Sequence, residues 1–199
     1  MNSKQEQDSF SLEALRNGDR AEFARVVEAY SPMIYRLGLK MLNNPQDAED
    51  VLQETFIKAY KNIAKFDGRS SVSTWLYRIA TNEALMSLRR KRPDSISFEN
   101  PMEHESEPQE PLQIVDWCCL PEEEYLTAEG RARLDEAAAS LPANLRIVFV
   151  LRDIEGLSTR ETAQVLDISE MAVKTRLSRA RLRLREDLSE YFGQLVEEV

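Results

Sequence analysis

The 199-residue sequence is poor in the residues that build metal sites and disulfide frameworks. It contains two cysteines, the adjacent Cys118 and Cys119, and one histidine, His104. Adjacent cysteines provide neither a disulfide framework nor the spacing of zinc ligands, and one histidine leaves little for a Ser-His-Asp arrangement. No nucleophile–base pair and no phosphate-binding loop is visible. The sequence therefore predicts no metal site, no cofactor and no enzymatic activity.

Long apolar runs are also missing. No stretch approaches the roughly 18 apolar residues of a membrane span, and the first residues, MNSKQEQDSF, lack the apolar core of a signal peptide. We therefore expect a cytoplasmic protein without direct membrane insertion. With 42% hydrophobic and 31% charged residues, six glycines and eight prolines, the composition is that of a globular chain with one or two small domains.

Basic residues are absent from one segment, 94–126, which contains ten acidic residues and four prolines. This segment contributes −10 to a net charge of −9, so the rest of the chain sums to +1. Prolines and like charges disfavour regular structure, and we expect a flexible acidic linker that spans roughly 100 Å when extended. Its apolar stretch 114–120 either contacts a partner or packs on a flanking domain.

Helical periodicity on both sides of this linker predicts an all-α fold of two small helical domains. The first domain is expected at 19–93 and the second at 127–190, with tails at 1–18 and 191–199. In the first domain we expect a bundle of four helices. The first of them should end at Ser31-Pro32, because serine caps a helix and proline begins the next one. The others are expected at about 32–43, 46–64 and 73–92.

The third of these helices, DAEDVLQETFIKAYKNI, has two distinct faces at about 100° per residue. Its inward face is expected to contain Ala48, Val51, Leu52, Thr55, Phe56, Ala59 and Ile63. The opposite face carries Asp50, Gln53, Glu54 and Ile57, together with Lys61. A solvated face would account for the polar residues. An isoleucine set among acids is better explained by a surface that docks a partner.

Aromatic and basic residues interleave around the start of the fourth helix, which ends in the basic run 89–92. The interleaved residues are Lys65, Phe66, Arg69, Trp75, Tyr77 and Arg78. Basic side chains follow a phosphate backbone, and aromatic rings stack on unpaired bases. The pattern favours binding of single-stranded nucleic acid. The alternative is that the rings are core residues and the basic run complements the helix dipole.

A helix–turn–helix is predicted by the stretch STRETAQVLDISEMAVKTRLSRARLRLRED. Ser158 and Glu161 form a capping box, Asp167-Ile168 turns the chain, and Ser169 caps the second helix. The exposed face of this helix carries Lys174, Arg176, Arg179, Arg181, Arg183 and Arg185. A basic second helix suits a DNA major groove. An Arg-rich surface helix without that role is the alternative.

Three segments, in this order and spacing, resemble bacterial RNA polymerase sigma factors of the extracytoplasmic-function (ECF) type, group 4 of the sigma-70 family. They are DAEDVLQETFIKAYKNIAKFDG, STWLYRIATNEALMSLRRKR and LPANLRIVFVLRDIEGLSTRETAQVLDISEMAVKTRLSRARLRL. The resemblance implies that 19–93 is region 2 and 127–190 is region 4. It implies binding to core RNA polymerase, at the clamp helices of the largest subunit and at the flap, and initiation at specific promoters. The residues expected to dock on the clamp helices are Asp50, Gln53, Glu54 and Ile57.

The same resemblance implies contacts to promoter DNA. Region 2 is expected to melt and read the −10 element as a single strand through Lys65, Phe66, Arg69, Ser73, Trp75, Tyr77, Arg78, Asn82, Arg89, Arg90 and Arg92. Region 4 is expected to read the −35 element through Ser169, Lys174, Thr175, Arg176, Ser178, Arg179 and Arg181. The family further implies an anti-sigma factor, often membrane-bound, that holds the sigma factor at the membrane.

Two other classes of protein compete with this interpretation. A stand-alone helix–turn–helix regulator, with an N-terminal helical domain for sensing or dimerisation, shares the second domain but needs no strand-melting aromatic helix. A structural or adaptor protein leaves the basic second helix and the basic run 89–92 unexplained.

Overall fold

The computed structural model describes residues 10–91 and 128–197, and helices form both ranges. A 3₁₀ turn at Ile63–Lys65 and a π turn at Val150–Ile154 extend two of these helices. The predicted all-α fold of two helical regions is confirmed. The helices are α1 (Leu12–Arg16), α2 (Arg20–Leu42), α3 (Pro45–Asn62), α4 (Val72–Lys91), α5 (Ala128–Ser140), α6 (Ala143–Phe149), α7 (Thr159–Leu166) and α8 (Glu170–Glu197).

Several expectations fall on residues that these ranges leave out. The predicted linker 94–126 lies outside the described residues, and so do Arg92, His104 and both cysteines. Within 10–91 and 128–197, no helix is long and apolar enough to cross a membrane.

The first domain is built on α2, which packs against both α3 and α4. Val26, Tyr30, Ile34, Leu37 and Met41 form one buried stripe along α2. At Gly38 the helices approach closely, because an added Cβ would lie 3.1 Å from the Cα of Ala48 on α3. A larger residue at position 38 would therefore push α3 away from α2.

The expected break between two helices at Ser31-Pro32 is wrong, because α2 continues through Pro32. The buried stripe keeps its spacing of three or four residues across the proline, so packing favours one continuous helix. The missing N–H of proline is accommodated on the solvent side, where Pro32 is exposed. The Ser31 hydroxyl does not cap a new helix; it donates to the Val27 carbonyl at 2.6 Å.

A short helix, α1, lies in the range predicted as the N-terminal tail. The Ser11 hydroxyl caps it by accepting from the Ala14 N–H, and Leu15 is buried. The Arg16 Nε donates to the Phe66 carbonyl at 2.8 Å. These contacts hold α1 against the turn that follows α3.

The second domain packs α6 and α7 against α8. Both parts of the predicted capping box are present, because Ser158 and Glu161 each bond the other's backbone. Asp167 turns the chain in the left-handed region at φ 55°, and the Ser169 hydroxyl accepts from the Ala172 N–H at 3.1 Å. The backbone of α8 continues to Glu197, through most of the range predicted as a tail.

The two domains pack against each other through α2 and α4. Glu155, in the turn after the π turn, accepts from Arg36 through both carboxylate oxygens, each at 2.6 Å. The Tyr77 hydroxyl donates to the same carboxylate at 2.7 Å. Lys40 pairs with Asp135, and Arg146 donates to the Met41 carbonyl at 2.8 Å. This closed arrangement places a polar cluster, Arg36–Glu155–Tyr77, between the domains, in which the Glu155 side chain is 1% exposed and that of Arg36 is 50% exposed.

Candidate nucleic-acid and partner interfaces

The predicted docking face of α3 is open to solvent. Asp50, Gln53 and Glu54 are exposed, and so is Ile57, at 45% of its surface. The opposite face of α3 is buried as predicted, with Ala48, Val51, Thr55, Phe56 and Ala59 in the core. Because an exposed isoleucine lies among acidic side chains, this face has the mixed character of a protein-binding patch.

A cavity of about 390 Å³ lies between α3 and α4. It is lined by Lys58, Asn62, Lys65, Trp75, Arg78, Ile79, Asn82 and Glu83. Four of these residues, Lys65, Trp75, Arg78 and Asn82, belong to the predicted set for the single strand. The volume is in the usual range for small-ligand sites. Cations, two amides, the Glu83 carboxylate and an indole ring therefore line a space suited to one planar, hydrogen-bonding group.

The ring of Trp75 forms one wall of this cavity and rests on Phe66. The two ring centroids are 5.0 Å apart, with 35° between the ring planes. Phe66 is buried and Trp75 is partly exposed. Phe66 therefore packs against the inner side of the indole, and Trp75 is the ring of this pair that faces outward.

Tyr77 occupies a different environment from Trp75. It is buried, and its hydroxyl donates to Glu155 of the second domain. Burial raises the pKa of Tyr77, and the neighbouring Glu155 carboxylate raises it further. The same carboxylate raises the pKa of Arg36 through its hydrogen bonds. The neutral tyrosine is thus held under the second domain, away from solvent.

The remaining residues of the predicted single-strand set lie in the loop before α4 or along α4. Arg69 is exposed and pairs with Asp67 at 2.9 Å. Ser73 shares a hydrogen bond with Ser71, whose hydroxyl caps the start of α4 by accepting from the Thr74 N–H. Arg89 and Arg90 are exposed at the end of α4.

Helix α8, the second helix of the predicted helix–turn–helix, presents most of its predicted DNA-contacting side chains to solvent in the closed arrangement. Lys174, Thr175 and Arg179 are exposed, and Ser178 is partly exposed. Arg176 is partly buried, and this burial lowers its pKa. Arg181 is held by Asp153, to which it donates through two nitrogens at 2.9 and 2.8 Å. A contact of Arg181 with DNA therefore competes with an internal ion pair.

Three residues in these sites were not predicted from the sequence: Lys58, Glu83 and Glu155. Lys58 and Glu83 lie on α3 and α4 and form an ion pair at 2.6 Å beside the cavity. Glu155 meets Arg36 across 119 positions of sequence. Two features of the sequence pointed weakly to them: Glu83 is an acid at an inward position of α4, and Glu155 is an acid directly after a helix end. Within the residues that the structure describes, no group of histidine, cysteine and acidic side chains is placed to hold a metal ion.

Comparison with known proteins gives two family matches. The chain matches the model for Sigma-70 region 2 over residues 26–93 and the model for Sigma-70, region 4 over residues 131–184. The ECF RNA polymerase sigma factor SigW of Bacillus subtilis is 39% identical over 181 residues, which cover 89% of this chain and 94% of SigW. The RNA polymerase sigma-H factor of Pseudomonas aeruginosa is 36% identical, covering 89% of this chain and 91% of that protein.

Solved structures with the same fold include two proteins that were each solved in complex with a partner. CnrH in complex with the cytosolic domain of CnrY aligns with a TM-score of 0.65 at 22% identity, covering 92% of this chain and 98% of CnrH. The sigma factor RpoE of Bartonella quintana, in complex with the anti-sigma factor NepR, aligns with a TM-score of 0.60 at 24% identity. That alignment covers 84% of this chain and 97% of RpoE.

Proposed function

The chain belongs to the family of ECF RNA polymerase sigma factors, which direct promoter-specific transcription, and we propose that its two domains divide this work. The first, 19–93, docks on core RNA polymerase and reads the −10 element as a single strand. The second, 127–190, reads the −35 element as a duplex. The observation that carries this proposal is the cavity that brings Lys65, Trp75, Arg78 and Asn82 together.

Docking on polymerase is assigned to the open face of α3. Asp50, Gln53, Glu54 and Ile57 project from this face and are all exposed. They would meet the clamp helices of the largest polymerase subunit, while the second domain meets the flap. An apolar contact with a charged surround favours one partner and one orientation.

Reading of the single strand is assigned to the cavity beside α4. An unpaired base stacks on the outward face of Trp75, and Asn82 offers an amide that both donates and accepts hydrogen bonds. Lys65 and Arg78 supply positive charge for the adjacent phosphates. Arg89 and Arg90 continue this charge along the end of α4, and Arg92 follows them in the sequence. Extrusion of a base into such a pocket costs a few kcal/mol, which stacking and hydrogen bonds offset.

Reading of the duplex is assigned to α8, whose exposed polar residues fit a major groove. Three of these residues, Lys174, Thr175 and Arg179, are exposed, and Ser178 is partly exposed. Arg176 lies on the same helix. The acidic linker 94–126 would connect the two reading sites and follow polymerase surfaces built for nucleic acid, where negative charge is favourable.

Regulation by a protein partner is part of the proposal. CnrH and RpoE, which share the fold, were solved with the cytosolic domain of CnrY and with the anti-sigma factor NepR. We infer an anti-sigma factor for this chain, and a cytoplasmic location in which that factor can hold the chain at the membrane. We expect no catalytic activity of the chain itself.

Run-off transcription and footprinting test the proposal together. Purified chain, core RNA polymerase and a library of upstream and start-proximal elements should yield transcripts from a defined subset of promoters. Footprints should require core polymerase and show an unpaired start-proximal region. A specific footprint by the free chain alone, with no polymerase-dependent transcription, would instead favour a stand-alone regulator.

A further inference from the structure

A buried carboxylate lies in the wall of the cavity that the proposed function assigns to an unpaired base. Glu83 on α4 is 7% exposed and lines this cavity beside Asn82 and Trp75. A cavity that served only to hold phosphates would need cations alone, because a carboxylate repels a phosphate. The acid therefore indicates a second kind of ligand group, one that donates a hydrogen bond.

Glu83 forms an ion pair with Lys58. The Lys58 Nζ lies 2.6 Å from the Glu83 Oε1, and the lysine side chain is 40% exposed while that of the glutamate is 9% exposed. Burial of a carboxylate is costly unless a cation or hydrogen bonds compensate it. Lys58 occupies one oxygen, and a carboxylate has about four acceptor positions. Acceptor capacity remains for a donor inside the cavity.

We propose that Glu83 is a specificity-determining residue, which accepts a hydrogen bond from the exocyclic amino group of one unpaired base. This inference rests on the proposed single-strand reading by α4. Cytosine, adenine and guanine carry an exocyclic amino group, whereas thymine does not. Glutamate is a known acceptor for such a group, as with the cytosine amino nitrogen. Trp75 supplies the stacking surface, and Glu83 selects among the bases that stack there.

A purely structural role is the competing explanation, because Lys58 on α3 and Glu83 on α4 also tie two helices together. The chain contains a matched pair that serves as a control. Lys91 on α4 and Asp47 on α3 form a second ion pair between the same helices, and neither residue lines the cavity. A role limited to helix packing predicts similar consequences for the two pairs.

The first arm of the test changes only the DNA. Holoenzyme assembled from wild-type chain and core RNA polymerase is titrated with fluorescent single-stranded oligonucleotides that carry its start-proximal element. At each position the base is replaced by an analogue that lacks the amino group: pyrimidin-2-one for cytosine, purine for adenine, hypoxanthine for guanine. We expect one position at which this deletion weakens binding by about 10-fold, the scale of a hydrogen bond to a charged group. No such position overturns the inference.

The second arm repeats the titration with Glu83→Gln and with Asp47→Asn. At the sensitive position, Glu83→Gln should reduce the effect of the amino deletion to about 3-fold or less, because a neutral amide is a weaker acceptor than a carboxylate. Asp47→Asn should retain the full effect. Equal effects in all three proteins assign Glu83 to helix packing and overturn the inference. If Glu83→Gln does not fold, Asn82→Ala takes its place: the effect of the amino deletion should persist in this variant, and its loss would assign the contact to Asn82 and overturn the inference.

The outcomes separate this inference from the proposed function. Selective binding of the oligonucleotide, without sensitivity to any amino group, leaves single-strand reading in place and removes the role of Glu83. Binding by holoenzyme that does not depend on oligonucleotide sequence contradicts both.

Discussion

The docking face of α3 and Tyr77 on α4 lie on neighbouring helices, but the second domain covers only Tyr77. Asp50, Gln53, Glu54 and Ile57 are exposed in the closed arrangement. Tyr77, by contrast, is buried beneath Glu155. Contact with polymerase through α3 therefore needs no movement of the second domain, whereas access to Tyr77 requires Glu155 to leave. The α3 face can thus be contacted while the domains are packed together, and Tyr77 can be contacted only after they separate.

The open face gives the largest expected effect. The double change Asp50→Lys and Glu54→Lys should weaken binding to core RNA polymerase by at least about 100-fold, because like charges at an interface cost several kcal/mol. Thermal unfolding should stay unchanged, since both residues are exposed. Binding is measured by fluorescence titration with core polymerase. The same reversal at Glu28, an exposed acid on α2, is the control, and an equal loss there would remove the special role of α3.

Glu155→Ala removes the contact between the domains that covers Tyr77. This change leaves Arg36 and the Tyr77 hydroxyl without their shared partner, and we expect a loss of about 2 kcal/mol in the free energy of unfolding. Asp135→Asn breaks another ion pair between the domains, but that aspartate is 53% exposed, so its loss should be below about 0.5 kcal/mol. Urea unfolding measures both variants.

The same two variants also report on the domain arrangement. Small-angle X-ray scattering should show a larger radius of gyration for Glu155→Ala and none of this change for Asp135→Asn. Similar dimensions for Glu155→Ala and wild type would mean that apolar packing alone holds the domains together.

Helix α8 resembles the α3 face in this respect, because most of its predicted DNA-contacting side chains are exposed while the domains are packed together. Arg176→Ala should reduce discrimination at particular upstream positions by about 10-fold, the scale of one good base contact. Arg181→Ala should weaken all upstream sequences alike and also lower stability, because Asp153 loses its partner. A promoter library transcribed with each variant measures this difference. Identical profiles for the two variants would contradict the assignment.

The smallest expected effect concerns the hydroxyl of Tyr77. Tyr77→Phe should cost about 1 kcal/mol or less at neutral pH. Because the folded-state pKa of Tyr77 is raised, its stabilising contribution is complete below the unfolded pKa of about 10 and is lost as pH rises above that value. The difference in stability between wild type and Tyr77→Phe should therefore shrink between about pH 9 and 11. Urea unfolding over this range checks it, and a constant difference would contradict the buried environment.

Local sequence rules predicted the helices and their ends where one short segment contains all the information. The Ser158–Glu161 capping box and the inward face of α3 are examples, because each depends on residues three or four positions apart. The same rules failed at Pro32, where a local breaker was outweighed by a stripe of buried residues on both sides. The packing energy of the buried residues along this 23-residue helix outweighed the local tendency of proline to end a helix.

The sites were predictable only in part, for a related reason. Trp75 and Arg78 follow from the interleaving of aromatic and basic residues, and Asn82 from the family resemblance, but the cavity exists only because α3 brings Lys58 and Asn62 beside them. The Arg36–Glu155–Tyr77 cluster joins three distant parts of the chain, and no periodicity encodes such a meeting. Burial of Phe66 under Trp75 likewise depends on how the turn after α3 folds back.

The polar cluster between the domains also bears on how such proteins can be recombined. A chimera that joins the first domain of this chain to the second domain of a relative keeps Arg36 and Tyr77 but replaces Glu155. The reverse chimera keeps Glu155 but replaces Arg36 and Tyr77, whereas Arg146 keeps an acceptor because it bonds to the backbone carbonyl at position 41. Exchange of domains for engineered promoter selectivity should succeed best when these side chains travel as a set.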